Sequence, residues 1–465
     1  MIFRQLLLLA CILGVVAFSG CSGGGGSGSV AGNGGIEGTG APVASMGSVT
    51  AFGSIFVNGV EYETNGADIS INSVTSQPED SLELGMVVLV RGNLNSNGTT
   101  GEATSVVFDQ NLQGPIGDVD NTGDSLILTV LGVEVEVNDD TVLQNIEFAD
   151  LTAGLVISVS GFTGADNTLV ASRIEKVSDG HTNGEQVEVE GTVSNLTADQ
   201  FDIGSQQVRH SGANVVPASA TLAEGATVEV KGSAFDGDVL IATQIKIKSN
   251  NPGFEDGDGV ELEGIVSNFT SSADFTVNGV SVNASNADFN KGDSDDLANG
   301  VRVEVKGEID SDNVLQATKV TIKKVPSNKL RAQAANVDGD NNTLTLLGVT
   351  VVTDSQTVFQ DTGSNRLKYF SFEDIEESDW IDVRGTFLDS NGALIASRLT
   401  RRNDAGLLVK GVVSAKTSDT LTIMGITVDT TDVDASGVNI GDTVVAEGLT
   451  AGANSMRADS LTVDD

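Results

Sequence analysis

Basic and aromatic side chains gather between residues 366 and 402 of a chain that is otherwise strongly acidic. Arg366, Lys368, Tyr369, Trp380, Arg384, Arg398, Arg401 and Arg402 fall in this window, and Trp380 is the only tryptophan among 465 residues of net charge −40. An aromatic face beside guanidinium groups can hold a glycan, an anionic ligand or a partner protein by stacking and charge-assisted hydrogen bonds. Trp380, Arg384, Arg398, Arg401 and Arg402 are therefore candidate ligand contacts. The competing reading is packing: Trp380 against a neighbouring module, with the arginines balancing local acids such as Glu376 and Glu377.

Oxygen ligands for a divalent cation such as Ca2+ stand at short spacing at Asp118 and Asp120, at Asp256 and Asp258, and at Asp338 and Asp340. None follows the twelve-residue calcium loop with its sixth-position glycine and twelfth-position glutamate. Asp, Asn and Gly also mark turns for backbone reasons alone. No other cofactor is indicated.

Catalytic signatures are thin. His181 and His210 have no cysteine partners and no His-Glu-x-x-His arrangement, and no Gly-x-Ser-x-Gly elbow is present. Among 65 acidic residues no pair stands out as acid and base. The expectation is a non-catalytic binding or structural protein. The alternatives are an envelope hydrolase or other enzyme with an unrecognised site and a divalent-cation-binding surface protein. Nucleic acid is excluded as a partner: its recognition needs a basic groove and stacking aromatics, and aromatics are 4% of this chain.

The elements that position these residues recur. Strand-like segments closing on glycine appear at VVLVRG (87–92), VISVSG (156–161), VEVKG (228–232 and 303–307), WIDVRG (380–385) and VVAEG (444–448), about seventy residues apart. Upstream stand SLELG, DLTAG, TLAEG, DLANG and VNIG, which suit one helical turn closed by a left-handed glycine; the fifth copy has FEDIEESD instead. Asn58-Gly59 and Asn278-Gly279 mark tight two-residue hairpins, a slot held elsewhere by Leu-Gly or Met-Gly. Each copy ends in an alternating strand, such as Ile245 and Ile247 on the buried face with Lys246 and Lys248 exposed. The same alternation points Trp380 outward.

Strand, strand, strand, helical turn, strand, strand is the order of an OB-like barrel. The predicted fold is all-β, a tandem array of about six small five-stranded OB-like barrels, with small β-sandwiches as the runner-up. Each unit is long enough to close its own core, so beads are expected rather than a continuous stack.

The first residues form an address. Arg4, an apolar run over 6–18 and the exit Ser19-Gly20-Cys21 describe a secretory signal. The tail AFSGC resembles the lipobox of bacterial lipoproteins, which implies lipidation at Cys21, a membrane anchor and, with Ser22 following, an outer-membrane lipoprotein of the cell envelope exposed to periplasm or cell surface. An envelope protein or a glycan is the expected partner. Residues 22–40, SGGGGSGSVAGNGGIEGTG, cannot bury apolar surface and read as a tether.

The Gly-x-Val opening, apolar-Gly-Val hairpin, L-x-x-G-x-x-V-x-V-x-G segment and A-x-x-I ending together resemble the bacterial tandem repeat called domain of unknown function 5666. Copy five departs most, with Ala334 where the opening glycine is expected. The resemblance implies an architecture and an exported compartment, and supplies no catalytic residue. The expected division is 1–20 signal, 21–45 lipidated cysteine and tether, then repeats at 46–112, 113–178, 179–249, 250–325, 326–404 and 405–465.

Overall fold

A computed structural model describes residues 42–121, 125–164, 166–249, 251–323, 327–364, 366–403 and 405–464. The fourth repeat shows the plan. Its strands are Gly259–Ser271, Asp274–Val277, Val280–Asn283, Arg302–Ile309 and Val314–Lys323. The first three pair as an antiparallel meander, the third meets the fifth in parallel, and the fourth pairs antiparallel with both the fifth and the first, closing the barrel. The same closure occurs six times among the described residues. Closed barrels, not sandwiches, are what the alternating strands build. Five repeats add a short strand, such as Asp288–Asn290, along the outer edge of the fifth strand.

Local chemistry accounts for the closure. Both residues of the hairpin turns take positive φ: 53° and 76° at Asn58-Gly59, 48° and 80° at Asn278-Gly279. Leu131, Leu347 and Met424 adopt the same left-handed backbone, and their side chains are buried in the apolar cores. The strand-closing glycines sit at bulges: a Cβ on Gly92, Gly161, Gly232, Gly307, Gly385 or Gly448 would fall inside 3.0 Å of a carbonyl oxygen on the facing strand. The extra residue of each bulge lies on the fifth strand, as Thr318 does opposite Lys306 and Gly307, and it bends that strand into the barrel wall. The expected helical turn is a single 3-10 turn in four repeats, for example Ser294–Asp296. The glycine after it is left-handed, and in copy five Ser378, with φ of 77°, replaces that glycine. Strand register places Ala332, not Ala334, in the opening-glycine slot, because Ala332 pairs with Ile381 as Gly264 pairs with Val303.

The repeats are not separate beads. The first strand of repeat 1 lies parallel to that of repeat 4, with Val43 to Met46 beside Gly259 to Leu262. Repeats 2 and 3 join through antiparallel first strands at Leu112 and Val189, and repeats 5 and 6 do so at Leu330 and Val409. Three sheets of 12, 12 and 11 strands result among the described residues. Cores merge accordingly: one apolar cluster runs through repeats 2 and 3, another through 5 and 6. Val87, Phe162 and Ile265 form a small cluster where repeats 1, 2 and 4 meet. A seventy-residue barrel buries little surface for its length, and fusing pairs removes exposed sheet edges while enlarging each core.

Candidate functional site

Outward-facing charged residues on the seam strands and on the fourth strands beside them are buried. Glu188, Glu229, Glu263 and Glu304 are each 2% exposed. They belong to ladders that cross the first, fourth and fifth strands in register: Glu263 faces Glu304, and Arg302 faces Lys323. Glu263 takes Arg302 at 2.9 Å and Lys323 at 3.4 Å, and it accepts the Ser48 backbone N–H of repeat 1 at 3.0 Å. Burial raises the Glu263 carboxyl, but Lys323, Arg302 and the Ser48 donors outweigh it and bring the group down to about 2. Lys246 and Lys248, expected to be exposed, are instead half-buried and pair with Asp109 and Glu190.

Three of the four candidate arginines face repeat 2. Arg384 donates to the Asp139 carbonyl and pairs with its carboxylate at 3.4 Å. Arg398 donates to the carbonyl of Thr141 and to Gln360. Arg402 reaches Glu147 at 4.0 Å. Arg401 turns inward within its own repeat, pairing with Asp361 at 2.6 Å and lying 4.4 Å over the Phe370 ring. Trp380 is half-buried, packed against the core shared by repeats 5 and 6, with Gln333 and Arg402 as its strand neighbours. The five candidates thus lie on two adjacent strands without converging on one exposed patch.

One of them opens onto a cavity. A space of about 490 Å³ lies where repeats 1, 2, 4 and 5 meet, and Arg398 lines it with Ser48, Ser172, Asp140 and Glu263. Val49, Val142, Ile322 and Leu388 add an apolar wall. Arg398 is 6% exposed, and its Nε has no hydrogen-bond partner. Among the described residues no carboxylate lies within ion-pair distance of it. Burial, with Arg384 adding to it, depresses the Arg398 guanidinium to about 9, against the pull of Asp140, Asp382 and Asp139. Burial likewise pushes the Asp140 carboxyl up, against Arg302, Arg398, Arg384 and a 3.3 Å hydrogen bond from Ser397. Sequence reasoning missed Ser48, Ser172, Asp140 and Glu263, since nothing local in the chain brings them together.

Family comparison matches the model of the domain of unknown function DUF5666 at residues 42–106, 113–175, 190–246, 263–321 and 334–400. The chain belongs to the DUF5666 family. The matched residues end at 400, and the same barrel closure continues through Leu407–Lys416 to Ser455–Asp464. No curated protein matches. A solved structure described as drosophila Unr CSD456 is similar at 16% identity over 46% of this chain and 97% of that one, with a TM-score of 0.12, which carries no argument.

In this DUF5666 array no three His, Cys, Asp or Glu side chains come together among the described residues. Asp338 accepts from the Asn341 side chain and the Asp340 backbone, closing its own turn. Asp258 accepts the Glu255 N–H and sits 3.9 Å from Arg91, while Asp256 and Asp340 are exposed in turns. Asp118 and Asp120 are exposed along one strand. His181 and His210 hydrogen-bond the carbonyls of Glu185 and Thr197. Cys21 lies outside the described residues.

Proposed function

We propose that this chain is a non-catalytic cell-envelope lipoprotein, anchored at the outer membrane through Cys21, whose fused barrels form one binding and structural body. The observation that supports a binding role is the cavity that four repeats line jointly, with a buried guanidinium left short of an acceptor. Binding energy in such a site comes from a few fixed polar groups on an apolar wall. The Glu263 carboxylate beside it is held by Arg302 and Lys323, an arrangement suited to fixing repeats together.

Fractionation of cells tests the anchor. Unmutated protein is expected with membranes and the Cys21→Ala variant in the soluble fraction; recovery of the unmutated chain as a free, unacylated species overturns the reading. Crosslinking on intact cells should then capture the envelope protein or glycan that this body contacts, and a soluble substrate turned over by the purified chain would favour an enzyme instead.

A further inference from the structure

We infer that the cavity at the junction of repeats 1, 2, 4 and 5 binds a small amphipathic organic anion, an apolar body carrying one carboxylate that the Arg398 guanidinium receives. This deepens the binding role proposed above and rests on it.

Three observations converge. Arg398 is a buried cation whose two hydrogen bonds go to uncharged acceptors, the Thr141 carbonyl and the Gln360 amide oxygen. A guanidinium has five N–H donors, and here the Nη groups have only the two neutral acceptors while the buried Nε has none. A buried charge without a counter-ion is costly, so an anion arriving there gains more than it would at the surface.

The other cations of the cavity stand beside acidic partners. Arg302 and Lys323 belong to Glu263, and Lys291 stands 4.0 Å from Asp354. Asp140 acts on Arg398 only through the longer-range field. Arg398 is thus the cation left for a ligand, in a chain whose net charge of −40 would otherwise repel anions.

Shape selects the rest of the molecule. Lys291, Asp354, Thr386 and Leu388 are exposed, whereas Ser48, Ser172 and Arg398 are buried, so the cavity has a rim and a floor with the guanidinium at the floor. Val49, Val142, Ile322 and Val358 line the space between. About 490 Å³ matches a small organic molecule and is too little for a polymer.

Calorimetric titration of the full chain at pH 8 tests this with decanoate, decanol and decyltrimethylammonium. Decanoate should bind saturably at one site per chain, decanol roughly tenfold to a hundredfold more weakly for want of the charge-assisted bond, and the cation not at all. Arg398→Gln should reduce decanoate affinity to that of decanol. Because Arg398 also ties repeat 5 to repeat 2, that variant can fail to fold; Thr386→Trp, at the exposed rim, fills the cavity without touching the core and should abolish decanoate binding. No saturable decanoate binding, equal affinity for acid and alcohol, or binding unchanged in Thr386→Trp each overturns the proposal. Such a result with Cys21 still lipidated would refute the ligand and leave the anchor standing.

Discussion

Arg398 in the fifth repeat donates to the carbonyl of Thr141 in the second, across 257 residues of chain. Beside it, Arg384 pairs with Asp139 of the same loop. Arg384→Ala should therefore cost about 1 kcal/mol, a modest value because both side chains keep some solvent access. Combined with Asp139→Ala the loss should be less than additive by about 0.5 kcal/mol. Urea denaturation of the single and double variants reads this directly; strict additivity would mean that the pair contributes nothing.

Excision of residues 250–325 should damage repeat 1. Its first strand loses the parallel neighbour that covers Val43 to Met46. Hydrogen exchange should show faster exchange along Pro42–Ala51 in the deletion, whereas independent beads would leave that strand unchanged.

The closing glycines are steric requirements. Gly307→Ala places a methyl group against the Gln316 carbonyl and should cost about 2–4 kcal/mol. Gly339→Ala meets nothing within 4 Å and should stay within about 0.5 kcal/mol of the parent. Comparable losses in the two variants would refute the bulge argument.

Two buried glutamates predict opposite pH responses. Glu263, held at about 2 against an ordinary 4.5, stabilises fully above pH 4.5, and that contribution fades as pH falls toward 2. Glu188 is pushed up to about 7, chiefly by burial with Glu229 adding, against Gln110 and Lys231. Its protonated form is the one the fold accommodates, so its contribution is whole below pH 4.5 and lost as pH rises through 7. Glu263→Gln should destabilise at pH 6 by on the order of 2 kcal/mol and less at pH 3. Glu188→Gln should gain stability relative to the parent between pH 4.5 and 8. Parallel pH profiles for parent and variants would contradict both assignments.

Trp380 reports the seam between repeats 5 and 6. Its half-buried position against that shared core predicts an intermediate emission maximum and partial quenching by acrylamide. Emission typical of free tryptophan in the native protein would exclude the packing.

Much of each barrel was legible because its determinants are local. Asn58-Gly59 states a turn, and Gly307 states a bulge, within a few residues of the elements they shape. Ala334 misled because alignment by residue type cannot see register; pairing with Ile381 assigns that role to Ala332. Glu263 reads as a solvated residue on an alternating strand, and only the approach of Ser48, 215 residues earlier, buries it. Arg398 and Trp380 share a basic stretch of sequence yet lie in different surroundings, since the loop that receives Arg398 belongs to repeat 2. Composition located the unusual residues; long-range packing decided what each one touches.

The parallel seam between repeats 1 and 4 has a temporal consequence. Synthesis proceeds from the N-terminus, so the first barrel emerges long before the strand Gly259–Ser271 that covers it. Repeats 2 and 3 can pair at once, as can 5 and 6. Repeat 1 must wait with an unsatisfied strand edge, an invitation to pair with another molecule of the same kind. The molecule's most exposed moment is thus written into the order of its repeats, and a chaperone that holds the nascent first barrel would act on that edge.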